Sequence, residues 1–221
     1  IRTAAYVAEN VKEGHNVIVD APNITIQDRK KILDLIKDFQ VMKTCRIISR
    51  TFVDCLKENI KSKNPISNKI ILSQLKDFQT PFYEEGFDKI IIDKQSSDFS
   101  MNQIFDRIIF EKSYSGQSLF EHSMETSFKF YNLKKYDYGY VLGAFCHEYG
   151  KITTLDKDYT SSSAYSLLCA SSEEDMLKAA FLANYHMLPC EWTTEEEKEK
   201  WKKIFGEEKF QMLLDFHECD K

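Results

Sequence analysis

The distribution of β-branched runs divides this 221-residue chain in two. Up to about residue 96, short runs such as Val17-Ile18-Val19 and Ile90-Ile91-Ile92 alternate with stretches of helical spacing. From Ser113 onward such runs vanish, and apolar residues recur at three- and four-residue intervals. Runs that suit a strand buried on both faces, alternating with helices, mark an α/β unit with parallel strands. Unbroken helical periodicity makes an all-helical unit. The expected fold is therefore α+β overall: an α/β part over residues 1–96, a connector over 97–112, and an all-α part over 113–221.

Charge follows the same division. Residues 1–110 carry a net +2 and residues 111–221 a net −7. That balance excludes a basic protein that coats nucleic acid. The acidic half reads either as a solvated Glu-rich face or as a region that holds cations. Sixteen Phe and eleven Tyr supply ample core, which excludes wholesale disorder. No apolar run approaches the roughly 18 residues of a membrane span. Six scattered cysteines without a C-x-x-C pair, and no leader sequence, lead us to expect free thiols in a reducing cytoplasm. The chain opens on a helical pattern without an initiator Met, so an upstream segment is expected as well.

In the first part, spacing predicts a helix over 2–13 stopped at Gly14, a strand over 16–20 and a turn at Pro22-Asn23. Thr25, with Asp28 three residues on, reads as the cap of a helix carrying Ile32, Leu33, Leu35 and Ile36. A strand over 46–48, helices over 51–59 and 68–78, and a strand over 89–93 complete it. Ligands of open α/β sheets collect at the carboxyl ends of strands. Asp20, at such an end, can hold a catalytic water, a magnesium shell or a substrate hydroxyl, or it can cap a turn. Lys57, Lys61 and Lys63 form a basic cluster that suits phosphate contact or a solvated helix face.

The stretch Val17-Ile18-Val19-Asp20-Ala21-Pro22-Asn23 with Arg29 resembles the signature of the polynucleotide-kinase-like branch of P-loop kinases. Pieces at 55–59, 70–71, 78–81 and 85–88 keep that family's order, so the resemblance covers about residues 1–93. It implies that Asp20, Asn23 and Arg29 face a phosphate acceptor, with Asp20 catalytic, and that Lys61 and Lys63 lie in a lid over the nucleotide. This sequence departs from the family in two respects. The family lid carries arginines, whose planar grip on phosphate lysine cannot make. No G-x-x-x-x-G-K-[ST] loop occurs, and Gly150-Lys151 lacks the upstream glycine. Kinase activity is not expected from this chain alone, and ATP is implied as a cofactor only if such a loop precedes Ile1.

In the second part, helices are expected over 118–131, 138–149, 161–169, 173–186, 194–205 and 207–220. Ser118, Ser172 and Thr194 read as N-caps and Gly206 as a break. Trp192 and Trp201, with the alternating charges of 195–203, read as a dimer surface or as a solvated helix with i,i+4 pairs. His122, His147, His186 and His217 all fall here. One histidine in an apolar helix is usually a core residue. Three of them, His122, His147 and His186, need partners for six ring nitrogens, and a shared metal supplies several at once.

His122, the doublet His147-Glu148 before Gly150-Lys151, then Ser163-Ala164, His186 and Asp220 resemble, in order, the pattern of HD-type metal-dependent phosphohydrolases over about residues 113–221. The resemblance implies that His122, His147, Glu148 and Asp220 ligate a divalent ion (Mn, Fe, Mg, Ni or Zn), with Asp215 the runner-up to Asp220. It places Lys151 near the phosphate and makes His186 a second-site ligand or an acid toward the leaving group. Here too there are departures. The doublet is His-Glu rather than His-Asp, which moves the carboxylate outward. The Gly-His that often precedes the family's Ser-Ala is missing from 158–164, which leaves a second metal short of a ligand.

Together the two resemblances imply hydrolysis of a phosphomonoester or phosphodiester of a nucleotide or nucleic-acid end, beside a kinase-like unit, in the processing of nucleic-acid ends. The alternative is an impaired HD-like module that binds a nucleotide or partner and regulates the attached kinase. Neither involves a membrane, and the oligomeric state is left open.

Overall fold

Helix α1 (Arg2–Lys12) leads to α2 (Ile26–Ile36), whose N-cap Thr25 accepts a bond from the Asp28 amide as its spacing requires. Then follow β1 (Thr44–Ser49), α3 (Phe52–Lys61), α4 (Asn68–Lys76) and β2 (Lys89–Lys94). The strands pair in parallel, with Ile47 opposite Ile92. The α3–α4 segment is the crossover that a parallel pair needs. The rear half comprises α5 (Met101–Phe110), α6 (Leu119–Asn132), α7 (Tyr138–Cys146), the short α8 (Gly150–Thr153), α9 (Tyr159–Ala170), α10 (Glu174–Tyr185) and α11 (Glu195–Cys219). This computed structural model describes residues 2–96, 98–112, 118–154 and 159–221. The expected boundary at Ser113 and the position Asp158 lie outside the described residues.

Two expectations about elements are corrected. Residues 16–20 form no strand: the sheet of the described residues holds β1 and β2, and Ile18 is 92% exposed. A β-branched run is only a preference. A strand also needs a ladder on at least one edge, and here no neighbouring strand provides it. Asp20 is therefore not at a strand end. The second correction concerns 97–112, most of which is α5 rather than a connector. A capping box between Ser100 and Gln103 starts it, and Ile104 and Ile108, one turn apart, are fully buried.

The rear helices fall close to the expected ranges, except that α7 stops at Cys146 rather than 149, α8 was not expected, and the cap of α10 is Glu173 instead of Ser172. Gly206 breaks α11 at φ 77° and ψ 163°, a conformation open to glycine and not to L side chains. α7 lies hard against α10. A Cβ on Gly143 would sit 2.7 Å from the carbonyl oxygen and 2.9 Å from the Cα of Ala179. One core joins Ile47, Phe78 and Ile92 of the front half to Leu167, Leu168 and Ala180 of the rear. A second, aromatic core gathers Phe82, Phe181, Phe205 and Phe216. Trp192 is buried and stacks on Phe210, and the partly buried Trp201 stacks on Phe205. All six cysteines are free. Among the described residues, no helix is long and apolar enough to cross a membrane.

Candidate metal centre

Three helices bring His122, His147 and Asp220 together. His122 projects from α6, His147 is the C-cap of α7, and Asp220 is the C-cap of α11. The Nε2 atoms of the two histidines are 3.3 Å apart, and each lies 3.1 Å from Asp220 Oδ1. An ion with bonds of about 2.1 Å needs donors about 3.0 Å apart at right angles and about 3.4 Å apart at tetrahedral angles. The observed triangle fits between those values. These three residues can hold a metal ion.

The tautomers point the same way. His147 Nδ1 is 2.7 Å from the carbonyl oxygen of Ala144, and a carbonyl only accepts, so Nδ1 carries the proton. In a neutral ring the lone pair then sits on Nε2, facing the carboxylate of Asp220. Two acceptors in contact need a proton or a cation between them. Pinning the outer ring nitrogen on a carbonyl is also the usual way a metal-binding imidazole is oriented. His186, the C-cap of α10, repeats the device three residues from Ala183, at 3.0 Å. Helix C-termini leave carbonyls unpaired, which is why a histidine there finds a ready acceptor.

Electrostatics follow from burial and pairing. Burial of Asp220 opposes its ionisation, yet bonds from His122 and His147 outweigh it and hold the carboxyl well below the usual range. The bond to Asp220 raises the His122 imidazole above its ordinary value. His186, 1% exposed and 4.8 Å ring to ring from His147, is pushed down to about 3 by burial and by that neighbour. It stays neutral near pH 7, with a lone pair on Nε2 facing the Tyr159 hydroxyl at 3.5 Å.

Glu148 stands beside the triangle rather than in it. One carboxylate oxygen forms a close ion pair with Lys151, and the other lies 3.8 Å from His122 Nε2, buried and without a hydrogen bond. Lys151 is also 4.9 Å from the Tyr159 ring centroid. Asp215 is occupied by Lys135, Tyr136 and Gln211. His217 contacts Cys190, away from the triangle.

The front-half candidates are not gathered into a site. Arg29 is buried in a two-pronged pair with Glu85, and its remaining donors reach the carbonyls of Asn23, Ile24 and Gln79. Its charge is consumed internally, which corrects its assignment to a phosphate. Asn23 adopts a left-handed turn at φ 45°. Asp20 and Lys63 are solvent-exposed, and Lys61 pairs with Glu58 at the surface. Sequence reasoning missed Tyr159 and Thr126, whose hydroxyls approach His186 and Asp220 at 3.5 Å. Position within a helix gives no sign of either. The carbonyls of Ala144 and Ala183 were legible, since each lies three residues before a histidine at a helix end.

No family model matches this chain, and no curated protein or solved structure matches it.

Proposed function

We propose that this chain is a metal-dependent phosphohydrolase of the HD type, with His122, His147 and Asp220 as its ligands. The observation that carries the reading is the convergence on one point of two imidazoles, that of His147 pinned at its outer nitrogen, and a carboxylate. Two nitrogens and an oxygen suit a first-row divalent ion such as Mn, Fe, Ni or Zn. When bound, the ion would act as a Lewis acid and lower the pKa of a water. The chain's own residues do the rest. Lys151, at the rim and oriented by Glu148, balances charge that develops on a phosphoryl group. His186 accepts a hydrogen bond at Nε2, and its ring packs against that of His147. Phe216 walls the inner side, 5.2 Å from the His147 ring and 5.9 Å from that of His186, and keeps bulk water out.

A second reading has one specific observation in its favour: the Glu148 carboxylate is held by Lys151 instead of joining the triangle. It describes an impaired module that binds a nucleotide and regulates an attached kinase. Metal content of the purified chain, with turnover of p-nitrophenyl phosphate and its bis ester under added Mn or Ni, separates the two. The enzyme reading expects bound metal and turnover that falls about a hundredfold or more in His147→Ala, since even orienting partners of ligands cost ten- to a hundredfold. No metal bound and no turnover with either ion would sustain the second reading instead.

A further inference from the structure

Helix α6 buries Leu119, Ser123 and Phe130 on its inner face, but its outer face is not uniformly polar. Phe120, Met124, Phe128 and Tyr131 recur at spacings of four, four and three, which a helical turn of about 3.6 residues lines up as one stripe. All four are exposed: Phe120 36%, Met124 47%, Phe128 64% and Tyr131 53%. Phe120 is steadied edge-on by Phe145 of α7, with 6.5 Å between ring centroids. The same periodicity sets His122 on another side of α6, so covering the stripe leaves that imidazole free.

Size and charge define what covers it. Aromatic side chains offer about 150–250 Å2 each, so the four residues together present on the order of 400 Å2. An apolar patch of that extent on one molecule is often a contact surface. Glu121 marks the N-terminal end of the stripe and Lys134 the C-terminal end, and both are exposed. Neither forms an ion pair among the described residues, whereas Lys129 is matched by Glu125 at 2.8 Å and Lys135 by Asp215 at 2.9 Å. Lys134 instead lies over the Tyr131 ring, its ammonium 3.4 Å from the centroid. An anionic membrane would meet Glu121 and Glu125 at the margin of the stripe, which disfavours a lipid surface. The unlike charges at the two ends suit a second copy of the same stripe, reversed.

We infer that the α6 stripe is the contact between two copies of this chain, packed antiparallel about a two-fold axis that passes beside Phe128. A half-turn about that axis sets Phe128 against its own counterpart and Met124 against Tyr131 of the second copy. Glu121, seven residues before Phe128, and Lys134, six after it, lie roughly 10 Å from the axis in opposite directions. Each end of the contact therefore brings unlike charges together, where a parallel pair would set Glu121 against Glu121. One self-complementary patch used twice is the commonest form of dimer contact. Two stripes with their charged margins cover roughly 1,000 Å2, at the lower edge of specific interfaces, which makes the dimer weak and dependent on concentration.

Sedimentation velocity on the full chain, from micromolar to near-millimolar concentration, reads the association. The wild type is expected to rise toward twice the chain mass. Phe128→Glu sets two carboxylates beside the axis and is expected to weaken association about a hundredfold or more, with its urea midpoint unchanged because the side chain is exposed. Glu121→Lys turns both end contacts from attraction to repulsion and is expected to weaken association about fivefold. Adding Lys134→Glu to the same chain is expected to restore it. A wild type that stays monomeric throughout overturns the inference, as does a dimer that survives Phe128→Glu. A dimer indifferent to the exchange of charges at Glu121 and Lys134 overturns the antiparallel register. If Phe128→Glu lowers the urea midpoint, the exchange of charges decides alone: weakening in Glu121→Lys with recovery in the double variant upholds the contact, and the lack of either refutes it.

Discussion

At the scale of single residues, the site turns on where protons sit. The depressed carboxyl of Asp220 contributes stability that is present above about pH 4 and lost as pH falls through its lowered value. The raised imidazole of His122 contributes stability that is present below about pH 6.5 and lost as pH rises through its raised value. The metal-free pair is therefore strongest in the mildly acidic window between those limits. As pH rises through the raised value of His122, its ring and the Asp220 carboxylate come to face each other as acceptors, and a cation gains what the proton gave up. Mn is accordingly expected to raise the Tm more at pH 8 than at pH 5.5, because protons compete for the same atoms. At a hundredfold excess over its Kd, linkage gives about 2.7 kcal/mol, roughly 5–10 °C for a chain of this size. Thermal melts at both pH values, with Asp220→Asn beside the wild type, measure this. Equal increments at the two pH values, or increments that survive in Asp220→Asn, would count against the triangle as the binding site.

At the scale of elements, the ligands are only as well placed as the helix ends that carry them. α7 delivers His147 and is held against α10 by the missing side chain at Gly143. Alanine there favours the helix by about 1 kcal/mol, but its Cβ would press on the backbone of Ala179, and backbone atoms cannot turn aside. Overpacking of that kind costs about 1–3 kcal/mol, so Gly143→Ala is expected to lower the urea midpoint and to weaken metal binding together. A more stable variant with unchanged metal affinity would show that the two helices are not fixed by this contact. The same scale explains what was legible beforehand. Caps and breaks such as Thr25, Thr194 and Gly206 are local chemistry, and each is where its spacing required. His122 and His147 were legible because imidazoles in apolar helices need partners, whereas Asp220 was implied only by the resemblance. The supposed strand at 16–20 was not, because pairing depends on a neighbour that composition does not reveal. α5 was overlooked although Ser100, Gln103, Ile104 and Ile108 spell out its start and its buried face. The capture of Glu148 by Lys151 needed the turn between α7 and α8, which residue types alone do not reveal.

At the scale of the whole molecule, residues 78–85 buckle the front half to the rear. Ser161 donates to the Phe78 carbonyl, the Thr80 amide donates to Asn184, Tyr185 donates to the Thr80 carbonyl, and Phe82 is buried among Phe181, Tyr185 and Phe205. Glu85, at the end of this segment, closes the buried pair with Arg29 of α2, and Glu84 reaches Lys209 of α11. A segment bonded on both sides transmits the loss of either side to the other. Removing one partner of a buried ion pair leaves an uncompensated charge and costs about 3–5 kcal/mol. Glu85→Gln leaves Arg29 in that position, and its cost is expected to reach the rear half as well as the front. The wild type is expected to unfold in urea as one transition, with tryptophan fluorescence, which reports Trp192 and Trp201 in the rear, coinciding with circular dichroism, which reports both halves. In Glu85→Gln both signals are expected to shift to lower urea by the same amount. Separate transitions in the wild type, or a variant in which the fluorescence midpoint stays in place while part of the dichroism is lost early, would show that the buckle joins two units that fold independently.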